Sequence, residues 1–473
     1  MKQICVFKFG GSSVADAPRL QRVAGLIAQE RLRTTDEVGY VIVVSALQGV
    51  TDALQQLLEA PEGTQPGDLE AAELAREARI AELQRRHEGV LRELQGELQV
   101  DIGLLAPVFT RLRAEMAARE SGHQRPSAEQ RDAVVAAGED LSSLLLTQAL
   151  QGAGVPATHI DARSVVRTDA AFGEAHPDAG ALAVQASAVV RPVLEAGRVA
   201  VLGGFIGAAA DGRTTTLGRG GSDYSATLIG AALEASEIHI WTDVDGVMSG
   251  DPRAVATPRN LATLGFEETV ELAHFGAKVL HAAAAKHAVA HGLVVRVRST
   301  FEPEREGTVI LRERHGPAGV AAVAHKMGVA LIQVRSHPSA MPFGFLARVF
   351  EVLARHQVPV DLVATSHTST AFTLDRSQDL SAVERELAAF ADVRIRHDLA
   401  TVTVVGRGLM REPGINARVF DVVGRTPVHL VSQASDVSLS LVVDEPEAVP
   451  LVGRLHAELI EAAARHLTSN ETN

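Results

Sequence analysis

The chain of 473 residues has one cysteine, one tryptophan and two tyrosines, and aromatic side chains make up only 4% of it. A single thiol, Cys5, excludes an intrachain disulfide, so the fold must be held by its core. A reducing cytoplasm is the expected compartment. Positive charge is in short supply: 45 Lys and Arg stand against 58 Asp and Glu, a formal net charge of −13. That balance argues against a nucleic-acid or anionic-membrane surface, while leaving room for a local cationic pocket. No apolar run approaches the roughly 18 residues that a membrane-spanning helix needs. The apolar start of "MKQICVFKFGGSS" is interrupted by glycine and is too short for a secretory leader. Lysine is scarcer still. Lys2, Lys8, Lys278, Lys286 and Lys326 are the only ones, and every other basic residue is arginine. Where lysine persists in so biased a chain, a compact ammonium rather than a planar fork is the expected requirement.

What the chain does have is alternation. A chain this long implies roughly two to four domains. "QICVFKF", "VGYVIVVSA", "VAVLGGFIGA", "EIHIWTDV" and "LVVRVRS" are continuous apolar runs, of the kind buried on both faces of a parallel sheet. Helical patterns separate them, which predicts an α/β layered domain over residues 1–312. Within it, residues 66–150 are rich in Ala, Leu, Glu and Arg and read as a largely helical subdomain with solvated faces. Beyond "REGTVILRERHGP" the pattern changes. "ARVFEVLARHQVPVDLVATS" at 347–366 returns, with a gap, as "ARVFDVVGRTPVHLVSQAS" at 417–435. Flanking strand and helix patterns make two consecutive β-α-β-β-α units, expected over 320–397 and 398–470.

Polar residues cluster in a few turns. "VFKFGGSS" ends a strand on Lys8 and turns through Gly10, Gly11 and Ser12 toward a helix. Glycine lets backbone N–H groups approach a phosphate, although strand–glycine–helix is equally an ordinary turn. It is not a Walker A loop, because the lysine precedes the glycines. "VVSALQGVTDAL" supplies Ser45, Thr51 and Asp52, the last two also readable as helix caps. "VAAGEDLSS" puts Glu139 in a first helical turn, where an acid also suits the helix dipole. "TTTLGRGGSDYSAT" sets Arg219 and Asp223 four residues apart among glycines. Capping explains Asp223 alone, and leaves Arg219, Gly220, Gly221, Ser222 and three threonines unaccounted for. A loop that grips a carboxylate with arginine, with an acid for the amine, suits an amino-acid substrate. "IWTDVDGVMSGDPR" runs from a strand through Thr242 and Asp243 to Arg253, as at a nucleotide-binding edge of parallel strands. "ELAHFGAKVLH" presents Lys278 after a glycine.

Taken in order, "KFGGSS", "VVSA", "GVT", "GRGGSDYSA", "TDVDGV", "DPR" and "FGAKVLH" resemble the aspartate kinases (aspartokinases) of the amino-acid kinase family, and the tandem repeat resembles their paired ACT regulatory domains. The resemblance implies an α/β amino-acid kinase fold, a mostly parallel sheet sandwiched by helices, followed by two ferredoxin-like ACT domains. It implies phosphorylation of the side-chain carboxylate of L-aspartate by ATP, with Mg2+ carried by the nucleotide and no metal site of the protein's own. The pathway context implied is lysine, threonine and methionine biosynthesis, and the assembly a homodimer through the ACT domains. By the same resemblance Lys8 holds the transferring phosphate, backbone at Gly10, Gly11 and Ser12 cradles oxygens, and Asp223 organises the transfer centre. Arg219 and Ser222, with Gly220 and Gly221, take the α-carboxylate, Glu139 the amino group, and Ser45 and Thr51 the reacting end. Thr242, Asp243, Met248, Arg253, Lys278 and Val279 line the ATP site, with Met248 where the family often has a tyrosine against the adenine. An amino-acid effector, lysine or threonine, is implied at Ser339, Pro342, Phe345, Leu346, Pro359, Val360, Asp361 and Ser366. Ser339, Met341, Pro342 and Pro359 depart from the lysine-sensitive pattern, which leaves lysine, threonine, another effector or insensitivity open.

Overall fold

The run Val38–Val44 is buried at six of its seven positions, the signature of a strand covered on both faces. The computed structural model describes residues 3–34, 38–59, 69–95, 101–117, 126–276, 280–314, 318–337, 344–376 and 380–462. They fall into two compact units. The first comprises 1–246, 262–266 and 279–313, and the second 247–261, 267–278 and 314–473. The short segments 247–261 and 267–278, which sequence alone assigns to the α/β domain, are therefore part of the second unit.

In the first unit β1 (Gln3–Phe9), β2 (Val38–Val44), β3 (Ala157–Ile160) and β4 (Val199–Gly203) enter the main sheet. A separate antiparallel ribbon follows, β5 (Ile206–Ala208) with β6 (Thr214–Thr216), before β7 (Glu237–Thr242), β8 (Thr263–Gly265), β9 (Val294–Ser299) and β10 (Thr308–Leu311) complete the sheet. Among the described residues that sheet has eight strands in the order β3-β4-β2-β1-β7-β9-β10-β8, parallel except where β10 meets β9. "VAVLGGFIGA" is thus two strands rather than one. Phe205 breaks it, held at φ +69° with its N–H donated to Ser225 Oγ.

The helices of this unit are α1 (Ala17–Arg33), α2 (Val50–Leu58), α3 (Leu69–Gln95), α4 (Ala106–Ala117), α5 (Ala128–Val135), α6 (Ala137–Gly152), α7 (Ala179–Gln185), α8 (Arg191–Glu195) and α9 (Gly221–Ala232). After them come α10 (Phe266–His274), which runs on into the second unit, and α11 (Ala282–Ala290). Gly11–Val14 forms a 3-10 turn, and α1 starts only at Ala17, where Asp16 accepts the Arg19 N–H at 2.9 Å and Pro18 fits the first turn. The glycine turn therefore does not itself open the helix. Nor do α3 and α4 form a core of their own. Ile80, Leu83, Leu91, Phe109 and Leu112 share one apolar cluster with α1, α2, α6 and the sheet.

The second unit contains β11 (Gly319–Ser336), α12 (Phe345–Arg355), β12 (Val363–Thr365), β13 (Ser369–Asp375), α13 (Ser381–Ala388), β14 (Ala391–Arg407), α14 (Ile415–Val423), β15 (Val428–Ser435), β16 (Ser438–Asp444) and α15 (Glu445–His456). Its antiparallel sheet runs β12-β13-β11-β14-β16-β15. Alternate residues Ala330, Ile332 and Val334 pack against α12 and α13, while Ala400, Val402 and Val404 pack against α14 and α15. The two central strands serve both repeats. Around Gly328 and Asp398, both at positive φ, the register shifts, so that 331–336 pairs with 391–396 but 319–326 pairs with 401–407. The outer strand of the second repeat thus comes from chain that precedes the first, which is how the strands of the two repeats join.

Candidate active site

Parallel strands β1, β2, β4 and β7 all point the same way, and the polar motifs follow their C-terminal ends, the usual ligand edge of such a sheet. Lys8, near the end of β1, is largely buried, and its Nζ lies 2.6 Å from Asp223 Oδ1. Asp223 sits in the first turn of α9, whose N-cap is Gly220, so it is not a capping residue. Among the described residues its Oδ2 accepts a long contact from the His281 N–H at 3.4 Å and no other hydrogen bond. Gly220 is obligatory here. Its φ is +71°, and a Cβ would run into the His281 ring. Gly10 lies directly under the lysine, where an added Cβ would be 3.7 Å from Nζ, and Gly11 abuts the Ala46 carbonyl. Ser12 and Ser45 are half-buried, and the Ser45 N–H is spent on the Phe9 carbonyl.

Glu139 is the most perturbed acid of this edge. It lies in the first turn of α6, is 4% exposed, and its Oε2 has no hydrogen-bond partner among the described residues. Burial pushes its carboxyl up to about 8, against the opposing pull of the Ala46 and Glu139 amides and of Lys8. A buried carboxylate oxygen without a donor costs free energy that an ammonium would offset. Two contacts hold the acid in place: a Cβ on Gly203 would meet the Glu139 carbonyl at 3.0 Å, and one on Gly138 would meet Ala46 at 2.8 Å. Ser222 is likewise buried, packed on Gly204. Arg219 is exposed and makes no ion pair with any described residue. Thr51 lies inside α2, behind the left-handed N-cap Gly49, so neither it nor Asp52 caps that helix.

The other expected residues are placed less uniformly. Thr242 ends β7, and its hydroxyl donates to Asp243. Met248 and Arg253 belong to the second unit, where Met248 bridges to Asn260 and the exposed Arg253 pairs with Asp251 at 2.7 Å. Lys278, Val279, Ser339, Met341 and Pro342 lie outside the described residues. Of the expected effector residues, Phe345 and Val360 pack partly into the α12–α13 core, whereas Leu346, Pro359 and Ser366 are exposed. Asp361 is already engaged. Its oxygens take Lys326 Nζ at 2.8 Å and His274 Nε2 at 3.1 Å. Burial would raise its carboxyl, but these two hydrogen bonds outweigh burial and leave it below the usual range. Sequence reasoning missed His281 and Asp132. The latter is a buried acid bonded to Thr216, 84 positions away along the chain, with no local pattern to join them.

Residues 3–299 match the amino acid kinase family, and residues 402–459 match the ACT domain. The chain is 36% identical to the lysine-sensitive aspartokinase 3 of Escherichia coli K12, over 98% of this chain and 100% of that protein. It is 33% identical to the aspartokinase of Chlamydia trachomatis, over 95% and 97%. Among solved structures, E. coli aspartokinase III in complex with aspartate and ADP (R-state) matches with a TM-score of 0.83 at 34% identity, over 97% of this chain and 100% of that one. The same enzyme in complex with lysine and aspartate (T-state) gives 0.77 at 34%, over 97% and 99%. No described helix is long and apolar enough to cross a membrane.

Proposed function

This chain belongs to the aspartokinases, within the amino acid kinase family, and we propose that it transfers the γ-phosphoryl group of ATP to the side-chain carboxylate of L-aspartate, forming 4-phospho-L-aspartate. The observation that carries the reading is Glu139: a buried carboxylate with an unpartnered oxygen, on the same sheet edge as the Lys8–Asp223 pair. A small amino acid supplies the ammonium that Glu139 lacks. Its α-carboxylate goes to the exposed guanidinium of Arg219, with Ser222 and the amides of Gly220 and Gly221. Its side-chain carboxylate then faces Ser45, Thr51 and the phosphate end. Phosphoryl transfer needs positioning and charge neutralisation rather than a covalent protein intermediate. Lys8 supplies a compact charge for the γ-phosphate, and amides at Gly10, Gly11 and Ser12 cradle its oxygens. Asp223 holds the ammonium of Lys8 in place. Mg2+ bound to the ATP phosphates would add further neutralisation. The chain fits it with one hard donor, the lightly held Oδ2 of Asp223.

Thr242, Asp243, Met248, Arg253, Lys278 and Val279 are assigned to the nucleotide by resemblance. The ACT repeats are assigned to an amino-acid effector, lysine or threonine, taken by the region of Phe345, Leu346, Pro359, Val360, Asp361 and Ser366. Edge strands β12 and β15, with Val363 and Val431 exposed, fit a homodimer through these repeats. A reducing cytoplasm suits the lone half-buried thiol of Cys5. The test is aspartate-dependent ADP release, with hydroxylamine trapping of the acyl phosphate, run with lysine and threonine added separately. ATP turnover that is indifferent to aspartate but stimulated by glutamate would replace this reading with another amino-acid kinase.

A further inference from the structure

The three threonines ahead of Arg219 have no part in the substrate contacts described above. Each hydroxyl of Thr214, Thr215 and Thr216 meets a partner from a different place in the first unit. Arg163 Nε donates to Thr214 Oγ1 at 2.8 Å, Thr215 and Thr168 share a hydroxyl hydrogen bond of 2.7 Å, and Thr216 Oγ1 donates to Asp132 Oδ1 at 2.7 Å. Asp132 is 2% exposed, and its Oδ2 also accepts the N–H groups of Thr216 at 2.8 Å and Gly173 at 2.9 Å. A ribbon of two three-residue strands is marginal on its own, so these staples hold β6. The chain leaving β6 is fixed as well. Gly218, at φ +72°, packs so closely that a Cβ would meet Glu174 Cγ at 3.1 Å. The other end of Arg163 forks onto Asp140, Nη1 to Oδ1 at 2.8 Å and Nη2 to Oδ2 at 3.0 Å. Asp140 is the neighbour of Glu139. One guanidinium therefore ties the helix that carries Glu139 to the strand that leads into Arg219.

We propose that Asp132 and Arg163 are positioning residues for substrate recognition, setting through β6 the span between Glu139 and the Arg219 loop and hence the fit to one amino acid's ammonium and α-carboxylate. The inference rests on the reading that Glu139 and Arg219 hold those two groups. Recognition of this kind tolerates little displacement, because both charges must be met at once. In Asp132→Asn the new amide turns an N–H2 toward one of its former donors, and the entry to the loop shifts.

The experiment measures KM for aspartate, KM for ATP, kcat and Tm in the full chain. Asp132→Asn is expected to raise KM for aspartate by about ten- to a hundredfold, the range for loss of a charged hydrogen bond, and KM for ATP by less than about twofold. Thr214→Val and Thr216→Val, milder changes that keep the fold should Asp132→Asn fail to accumulate, should each raise KM for aspartate by about three- to tenfold. Combined with Arg219→Lys, the Asp132→Asn effect should be less than additive, since both act on one contact. Parallel changes in both KM values, kcat and Tm, or an unchanged KM for aspartate, would show a merely structural staple and overturn the proposal. Glu139→Gln and Arg219→Lys are the controls. If they leave KM for aspartate unchanged, the site reading and the proposal fall together; if they raise it while the staple variants do not, the proposal alone falls.

Discussion

Glu139 makes the pH dependence of aspartate use a sharp test. With a carboxyl pushed up to about 8 by burial, the free protein at neutral pH holds Glu139 mostly protonated, and a protonated carboxyl cannot pair with an ammonium. The ionised fraction is about one hundredth at pH 6, about one tenth at pH 7 and about one half at pH 8. Because kcat/KM reports the free enzyme, its value for aspartate should rise about tenfold from pH 6 to 7, about fivefold from 7 to 8, and then level off. The value for ATP should follow no such curve. Glu139→Gln should flatten the aspartate profile and, at pH 8.5, lower kcat/KM by about ten- to a hundredfold, the worth of a charged hydrogen bond. Stability moves the other way. The folded pKa is raised, so this group's contribution to stability is complete below its ordinary value of 4.5 and is lost as pH rises through about 8. Ligand-free Glu139→Gln should therefore gain in Tm relative to wild type as pH rises across that window. The measurements are a coupled assay of ADP release at fixed ionic strength and calorimetric unfolding without substrate. An aspartate profile flat between pH 6 and 8.5 in wild type, or the same slope kept in Glu139→Gln, would refute the reasoning.

Lys8→Ala should cut kcat by about a hundred- to a thousandfold with near-normal circular dichroism, as for other lost transition-state donors. Activity within about tenfold of wild type would remove Lys8 from the transfer centre. Lys8→Arg should not restore the rate, because a planar guanidinium does not fit the compact position beside Asp223 that rate measurements on the same samples would probe. Gly220→Ala should destabilise the chain by roughly 1–3 kcal/mol, from the left-handed backbone and the His281 ring, and weaken aspartate use, checked by Tm and KM together. Asp361→Asn removes the ion pair with Lys326 and weakens the contact with His274. Because both are partly solvated, it should cost only about 1 kcal/mol, read as a small fall in Tm at neutral pH. Its carboxyl is depressed, so that difference is present above the ordinary carboxylate range and should vanish as pH falls through the folded value.

Patterns of a few residues determined much of this protein from sequence. Apolar runs such as Val38–Val44 name buried parallel strands, and the repeat at 347–366 and 417–435 names paired units, because periodicity is a local property of the chain. The glycine-containing motifs carried Lys8, Glu139, Arg219 and Asp223 for the same reason, and the order of the motifs pointed to the family. Tertiary structure alone decided the rest. It put Lys8 against Asp223 across 215 positions of sequence, left one oxygen of Glu139 buried and without a partner among the described residues, and bound the threonines of β6 to Asp132, Thr168 and Arg163. It also gave 319–326 to the second repeat, across a register shift that no local pattern marks. Desolvation and pairing depend on which distant groups fill the space around a side chain, and that information appears only once the sheet has brought them together.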